Sequence, residues 1–171
     1  FIPFPEDWKG NNAINEDEER SFKAIDNIIN INGNEIAAVI IEPLVQGASG
    51  MKMCRPDFLN KVVKKFQSND IIVIFDEVMT GFGRTGKMFA SDFLEVCPDI
   101  ICLAKSITSG YLPLAATIFK EKIHQEFVDL ELNKAFLHGH SFTANPIACS
   151  AAIESMKIFK NENTLELVKN I

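Results

Sequence analysis

Short apolar runs alternate along this chain with stretches whose apolar residues recur at helical spacing. A polar, acidic loop over residues 11–20, with Glu16, Asp17, Glu18 and Glu19, leads into Phe22, Ile25, Ile28 and Ile29 on one helical face. Carboxylates at the start of a helix meet the positive end of its dipole. Ala37-Ala38-Val39-Ile40-Ile41 is a continuous apolar run and reads as a buried strand, stopped by Glu42-Pro43 and the loop Gln46-Gly47-Ala48-Ser49-Gly50. Pro56 opens a second helix, with Phe58, Leu59, Val62, Val63 and Phe66 on one face and Lys61, Lys64 and Lys65 outside.

The second half repeats the alternation. A strand is expected over Ile71–Phe75, then a glycine-rich loop from Thr80 to Gly86 and a short amphipathic segment over Phe89–Leu94. Strands over Ile100–Leu103 and Leu114–Phe119 follow, and a helix starts at Pro146, capped by Asn145, and runs to about Lys160. Strands alternating with helices point to βα units, hence an α/β chain with a mostly parallel sheet flanked by helices. No internal repeat or low-complexity segment interrupts the pattern.

With 171 residues, 47% hydrophobic and 23% charged, the chain can bury one sizeable core, and one domain is expected. A net charge of −6 without a Lys/Arg block argues against a nucleic-acid surface and for a small-molecule ligand. Cys54, Cys97, Cys102 and Cys149 show no metal or redox spacing; Cys102 and Cys149 lie in apolar segments expected to be buried, and reduced thiols fit a cytoplasmic location. The start, Phe1-Ile2-Pro3-Phe4-Pro5, lacks the features of a signal peptide, and no run reaches the ~20 apolar residues of a membrane span. It also lacks an initiator methionine, so a fragment of a longer protein is expected.

Two groups then carry candidate chemistry. Asp76-Glu77 ends the apolar run Ile71–Phe75, and Ala104-Lys105-Ser106 ends Ile100–Leu103, at the edge where open α/β sheets hold ligands. Such an amine can bond the aldehyde of pyridoxal phosphate, and such a carboxylate can keep its ring nitrogen protonated. A bland reading stands beside each: Lys105 as an ordinary strand-end lysine, and Asp76 as a loop acid or cap, a role Glu77 would fill equally well. The small-residue turn Ser106-Ile107-Thr108-Ser109-Gly110 would hold Lys105 over the sheet edge, partly desolvated.

Other motifs are weaker. Gly81-Phe82-Gly83-Arg84-Thr85-Gly86 matches G-x-G-x-x-G, but five residues separate it from Phe75 and two of them are acidic. A P-loop reading fails because Met88 stands where Ser or Thr must hold magnesium. Ser141 and Thr143, before Asn145-Pro146, are either turn and capping hydroxyls or an anion site at a helix start. His138 and His140 lack a third ligand, so no metal is expected.

Taken together, Ile41-Glu42-Pro43, Asp76-Glu77-Val78, Thr80–Gly86, Ala104-Lys105 and His138-Gly139-His140-Ser141-Phe142-Thr143-Ala144-Asn145-Pro146 resemble the class III aminotransferases, in order and from end to end of the chain. The resemblance implies the pyridoxal-phosphate-dependent transferase fold of type I, of which residues 1–171 would be the central part of the large domain, and a homodimer with active sites at the interface. It implies that Lys105 bonds the cofactor and moves the substrate proton, that Asp76 pairs with the ring nitrogen and that Val78 packs on the ring. Ser141, with the backbone at His140, would bind the phosphate in the partner subunit's site, while Gly139 and Arg84 would meet substrate. Leu44-Val45-Gln46-Gly47-Ala48 and Met79 depart from the ornithine and acetylornithine branch, which carries a glutamate and a glutamine there. They resemble instead the biotin-biosynthesis branch, which converts 8-amino-7-oxononanoate to 7,8-diaminononanoate with S-adenosylmethionine, or in some relatives lysine, as donor. Enzymes acting on ornithine, 4-aminobutyrate or a diamine, a non-catalytic truncated relative and, distantly, a P-loop protein are the alternatives. The family's upstream phosphate loop, its ring-stacking aromatic and its downstream carboxylate-binding arginine have no counterparts here, so this segment alone is expected to be inactive.

Overall fold

The structure, a computed structural model, describes residues 1–170. Helix α1 spans Ile14–Asn32, starting well inside the expected loop, so the acidic residues 16–19 belong to the helix itself. Polar residues leave no apolar periodicity to read, but a tertiary contact explains the earlier start. Glu18 is buried and accepts from Arg55 Nε at 2.7 Å, which ties the amino-terminal part of α1 to the entrance of the next helix. That helix, α2, spans Pro56–Gln67 with Pro56 in its first turn, and it buries Phe58, Leu59, Val62, Val63 and Phe66 as its pattern predicts.

Strands β1 (Ala38–Ile41), β4 (Ile72–Asp76), β5 (Ile100–Leu103) and β6 (Ala116–Phe119) form one sheet in the order β1-β4-β5-β6. The first three are parallel, and β6 runs antiparallel to β5. Between β1 and α2 lies a small hairpin of β2 (Val45–Gln46) and β3 (Lys52–Met53). Helices α3 (Glu121–Gln125), α4 (Pro146–Asn161) and α5 (Thr164–Val168) complete the chain. Asn145 caps α4 as expected, its Oδ1 accepting from the N–H groups of Ile147 and Ala148 at 2.9 and 3.2 Å.

The core lies on one face of the sheet. Val73 and Phe75 of β4, with Ile71, meet Ile25 and Ile29 of α1 and the apolar face of α2. Only the alternate residues Val39 and Ile41 of β1 join this core, and Ile40, on the face that the core helices leave uncovered, is 64% exposed. The expected fully buried strand is therefore half-buried. Ile40, Ile74, Ile100 and Phe119 share a register row on that second face, which no helix of the core covers. Cys102 lies on the same side as Asp76 and is half-buried, as is Cys149; the buried cysteine is Cys54, whose thiol burial and the nearby Glu18 push up to about 12. The exposures of Ile40 and Cys102 follow from which face of the sheet they take, which hydrophobicity alone does not encode.

The amino ends of the strands are tied by Asp99, whose side chain is 2% exposed. Its Oδ2 accepts from Val73 N at 3.1 Å and Gln67 Nε2 at 3.2 Å, and its Oδ1 lies 3.0 Å from the ammonium groups of both Lys120 and Lys122. Burial pushes this carboxyl up, but the Val73 N–H, the two lysines and the Gln67 amide outweigh it and hold it well below the usual carboxylate range. The stability it confers is thus present above the unfolded-state value of about 3.9 and is lost as pH falls through the lower folded-state value. Asp99→Asn is expected to lower unfolding free energy by about 1–3 kcal/mol at pH 7. In urea titrations the gap between variant and parent should close as the pH falls below that range; a gap unchanged in acid would contradict the charge-based account.

Candidate active site

Parallel pairing of β4 with β5 sets the site. Asp76 stands opposite Cys102 in the register, and the Glu77 N–H donates to the Cys102 carbonyl at 3.0 Å. Both strands therefore deliver their next residues to the same carboxyl edge. There the two acids part company. Glu77 is fully buried: its Oε2 accepts from Thr80 Oγ1 at 2.6 Å and Ala90 N at 2.9 Å, and its Oε1 from Ser91 N at 2.8 Å. It has no ion-pair partner among the described residues, so backbone and hydroxyl donors alone compensate the burial. Asp76 is half-buried and uses one oxygen, Oδ1, to accept from Val78 N at 3.0 Å, leaving Oδ2 without a hydrogen bond among the described residues. Glu77 is the loop anchor, and Asp76 is the carboxylate with an acceptor to spare.

The anchored loop carries Arg84. Residues 80–89 run as successive turns, with Phe82, Gly83 and Gly86 at positive φ of 60°, 88° and 94°. Gly81 is required by close approach, since a Cβ there would lie 2.9 Å from the Glu77 carbonyl oxygen. No helix opens at Gly86; the next element is a single 3₁₀ turn at Ala90–Phe93. The loop thus lacks the helix N-terminus on which both phosphate-binding patterns depend.

Lys105 follows β5 in an unusual backbone. Ala104 is extended, Lys105 takes φ 50°, and a 3₁₀ turn over Lys105–Thr108 ends in Ser109 at φ 52° and Gly110 at φ 81°. Left-handed φ is uncommon for residues other than glycine. Lys105 is exposed, and among the described residues its ammonium has neither ion-pair nor hydrogen-bond partner. The partial desolvation expected of it is not supplied by this segment, because the turn beneath it is built of small side chains.

A cavity of about 1100 Å³ opens in front of this turn and is walled by Lys105, Arg84, His140, Tyr111, Thr143 and the start of α4, among others. It brings Lys105, Arg84 and His140 together. Asp76, Val78, Gly139 and Ser141 are not on its wall. Two details revise the anion reading of the 138–146 segment. Asn145 already occupies N–H groups at the start of α4, and Thr143 Oγ1 accepts from His140 N at 2.9 Å. His140 Nδ1 in turn accepts from Phe142 N at 3.1 Å. Thr143 is spent on holding the loop, whereas the exposed Ser141 hydroxyl makes no hydrogen bond among the described residues. Tyr111, 85% exposed on the cavity wall, was not singled out from sequence; the available signal was the chain's one tyrosine standing beside Gly110 after the lysine turn. Among the described residues no group of three His, Cys, Asp or Glu side chains is placed to hold a metal, and no helix is long and apolar enough to cross a membrane.

Residues 1–171 match the family model described as aminotransferase class III. The chain belongs to the class III aminotransferases. Over 165 residues, 96% of this chain and 38% of its own length, the adenosylmethionine-8-amino-7-oxononanoate aminotransferase of Synechococcus elongatus is 43% identical. The solved enzyme of the same name from Methanocaldococcus jannaschii is 41% identical, with a TM-score of 0.79 over 85% of this chain and 34% of that one. An amine transaminase from an uncultivated Pseudomonas species, solved in its PLP-bound form, is 35% identical, with a TM-score of 0.80 over 87% of this chain and 34% of that one. The chain therefore spans roughly a third of the length of these relatives.

The fold is that of the pyridoxal-phosphate-dependent aminotransferases, and the Pseudomonas relative was solved with that cofactor bound. The residues present fit that group. An unpaired amine and a carboxylate with an unengaged oxygen emerge from adjacent parallel strands at one sheet edge, matching the aldehyde and the protonated ring nitrogen.

Glu77 gives this arrangement its rigidity. Glu77→Ala would leave the Ala90 and Ser91 N–H groups and the Thr80 hydroxyl without their acceptor, at an expected cost of about 3 kcal/mol or more. Glu77→Gln keeps an acceptor and should cost less. Equilibrium unfolding of the two variants checks this ranking, and equal losses would remove Glu77 from its anchoring role.

Proposed function

We propose that this chain is the central part of the cofactor-binding large domain of an enzyme that transfers an amino group to 8-amino-7-oxononanoate, forming 7,8-diaminononanoate in biotin biosynthesis. The observation that carries this reading is the juxtaposition of the free Lys105 amine and the free Asp76 oxygen at neighbouring strand ends, in a chain 43% identical to an enzyme named for that acceptor. The donor is S-adenosylmethionine or lysine. Residues outside this segment complete the pocket, so the segment alone is inactive.

Bound pyridoxal phosphate supplies an electron-withdrawing ring that stabilises negative charge at the substrate carbon. Lys105 would hold the cofactor's aldehyde and would serve as the base that takes the proton from the substrate carbon and returns it. Asp76 would pair with the ring nitrogen, and its Oδ1, which accepts from Val78 N, fixes the backbone of the residue that would pack on the ring. Arg84 and Gly139 face substrate. Ser141 and the backbone at His140 serve the phosphate of the partner subunit's site.

The homodimer implied by that sharing has support in the surface. Phe127, Val128, Leu130, Leu132, Phe136, Leu137 and Phe142 are all exposed within one largely irregular segment. Such a concentration of exposed apolar side chains marks an interaction surface. Four free thiols, one of them exposed, support a reducing, cytoplasmic setting for the enzyme.

In the full-length enzyme, Lys105→Ala should lose the borohydride-trapped cofactor adduct and lower turnover by on the order of 10³-fold or more. Asp76→Asn should keep the adduct but lower turnover by on the order of 10²-fold. Trapping that persists in Lys105→Ala would remove Lys105 from its role. Parallel assays with S-adenosylmethionine and lysine identify the donor, and turnover of ornithine or 4-aminobutyrate in place of 8-amino-7-oxononanoate would move the chain to another branch of the family.

A further inference from the structure

The turn that bears Lys105 is fastened to α4 by one half-buried side-chain hydrogen bond, between Ser109 Oγ and Ser155 Oγ at 2.8 Å. Ser155 is 3% exposed. It lies seven residues after Ala148, so both sit on one stripe of α4, and Ala148 walls the cavity in front of Lys105. Mid-helix serines ordinarily bond back to their own helix, as Ser150 does to the Pro146 carbonyl at 2.8 Å. Ser155 instead reaches across to another element.

The other partner is equally informative. Ser109 closes the turn, its N–H donating to the Ser106 carbonyl at 3.0 Å, and it holds φ 52° beside Gly110. Glycine takes that conformation at no steric cost, so a serine there is tolerated for its side chain. Lys105, at the other end of the same four-residue turn, is also left-handed at φ 50°. A turn with both ends in a sparsely populated backbone region persists only when its surroundings hold it. Below it, Thr108 is buried and donates to the Leu112 carbonyl at 2.5 Å, which fixes the exit of the turn but not its approach to the helix.

We propose that Ser155, acting through Ser109, is a positioning residue for Lys105: the hydroxyl pair, buried at its Ser155 end, locks the lysine turn against α4 and so aims the amine. This rests on the reading that Lys105 is the base of the transfer. Small displacements of a reacting group are costly to rate and need not alter substrate affinity. The clamp therefore acts on the proton-transfer step rather than on binding.

The test uses the full-length, cofactor-loaded enzyme with Ser155→Ala, Ser109→Ala and the double variant, following single-turnover amino transfer by cofactor absorbance. Each single variant should slow the half-reaction by on the order of tenfold with KM little changed, and the double variant should be no slower than the worse single one. Ser155→Thr, which keeps the hydroxyl, should recover part of the rate. Ser109 is exposed, so its variant guards against a folding defect at the buried end. Half-reaction rates within about twofold of the parent in both single variants, with the adduct still trapped on Lys105, would overturn the clamp. So would losses that multiply in the double variant. Failure to trap any adduct on Lys105 in the parent enzyme would overturn the role of the lysine itself, and the clamp with it.

Discussion

The parallel pairing of β4 and β5 is the constraint on which the rest of the site depends. With Asp76 opposite Cys102 and the Glu77 N–H bonded to the Cys102 carbonyl, a carboxylate and an amine 29 positions apart in sequence leave the sheet at one edge. A shift of one residue in β4 would turn its alternate side chains to the other face and send Asp76 into the helical core. Val73 and Phe75, seated against α1 and α2, oppose that shift. Hydrophobic packing on one side of the sheet therefore fixes polar geometry on the other.

Around that pairing the site is divided between groups that bear on chemistry and groups that hold them still. Glu77 spends its whole carboxylate on the loop after β4, Thr143 spends its hydroxyl on the loop before α4, and Asn145 closes the helix start. Their immediate neighbours Asp76 and Ser141 keep acceptor or hydroxyl capacity in hand. The residues of the same chemical type that sit side by side in sequence are thereby sorted by where the backbone turns them.

Much of this was legible in the sequence. The apolar face of α2, the strands Ile72–Asp76 and Ile100–Leu103 and the Asn145 cap all carry local signals of period or capping chemistry, and the strand ends located Asp76 and Lys105. What escaped depended on contacts between distant positions. The early start of α1 rests on Glu18 meeting Arg55, the half-exposure of β1 rests on the core helices covering one face of the sheet, and the distinction between Asp76 and Glu77 rests on Ala90 and Ser91. The left-handed backbone at Lys105 has no signal of its own, because the residue is not glycine and the turn that imposes it is held from α4.

Asp99 sits at the amino ends of the strands whose carboxyl ends carry Asp76 and Lys105. The same two strands are thus cinched at one end around a buried carboxylate and left open at the other for reaction. Such a separation lets the two ends drift independently over evolutionary time. Substitutions around Asp99, Lys120 and Lys122 can tune how tightly the sheet is held while the opposite edge takes on new substrates, and an engineer seeking a hardier scaffold would begin at the cinched end.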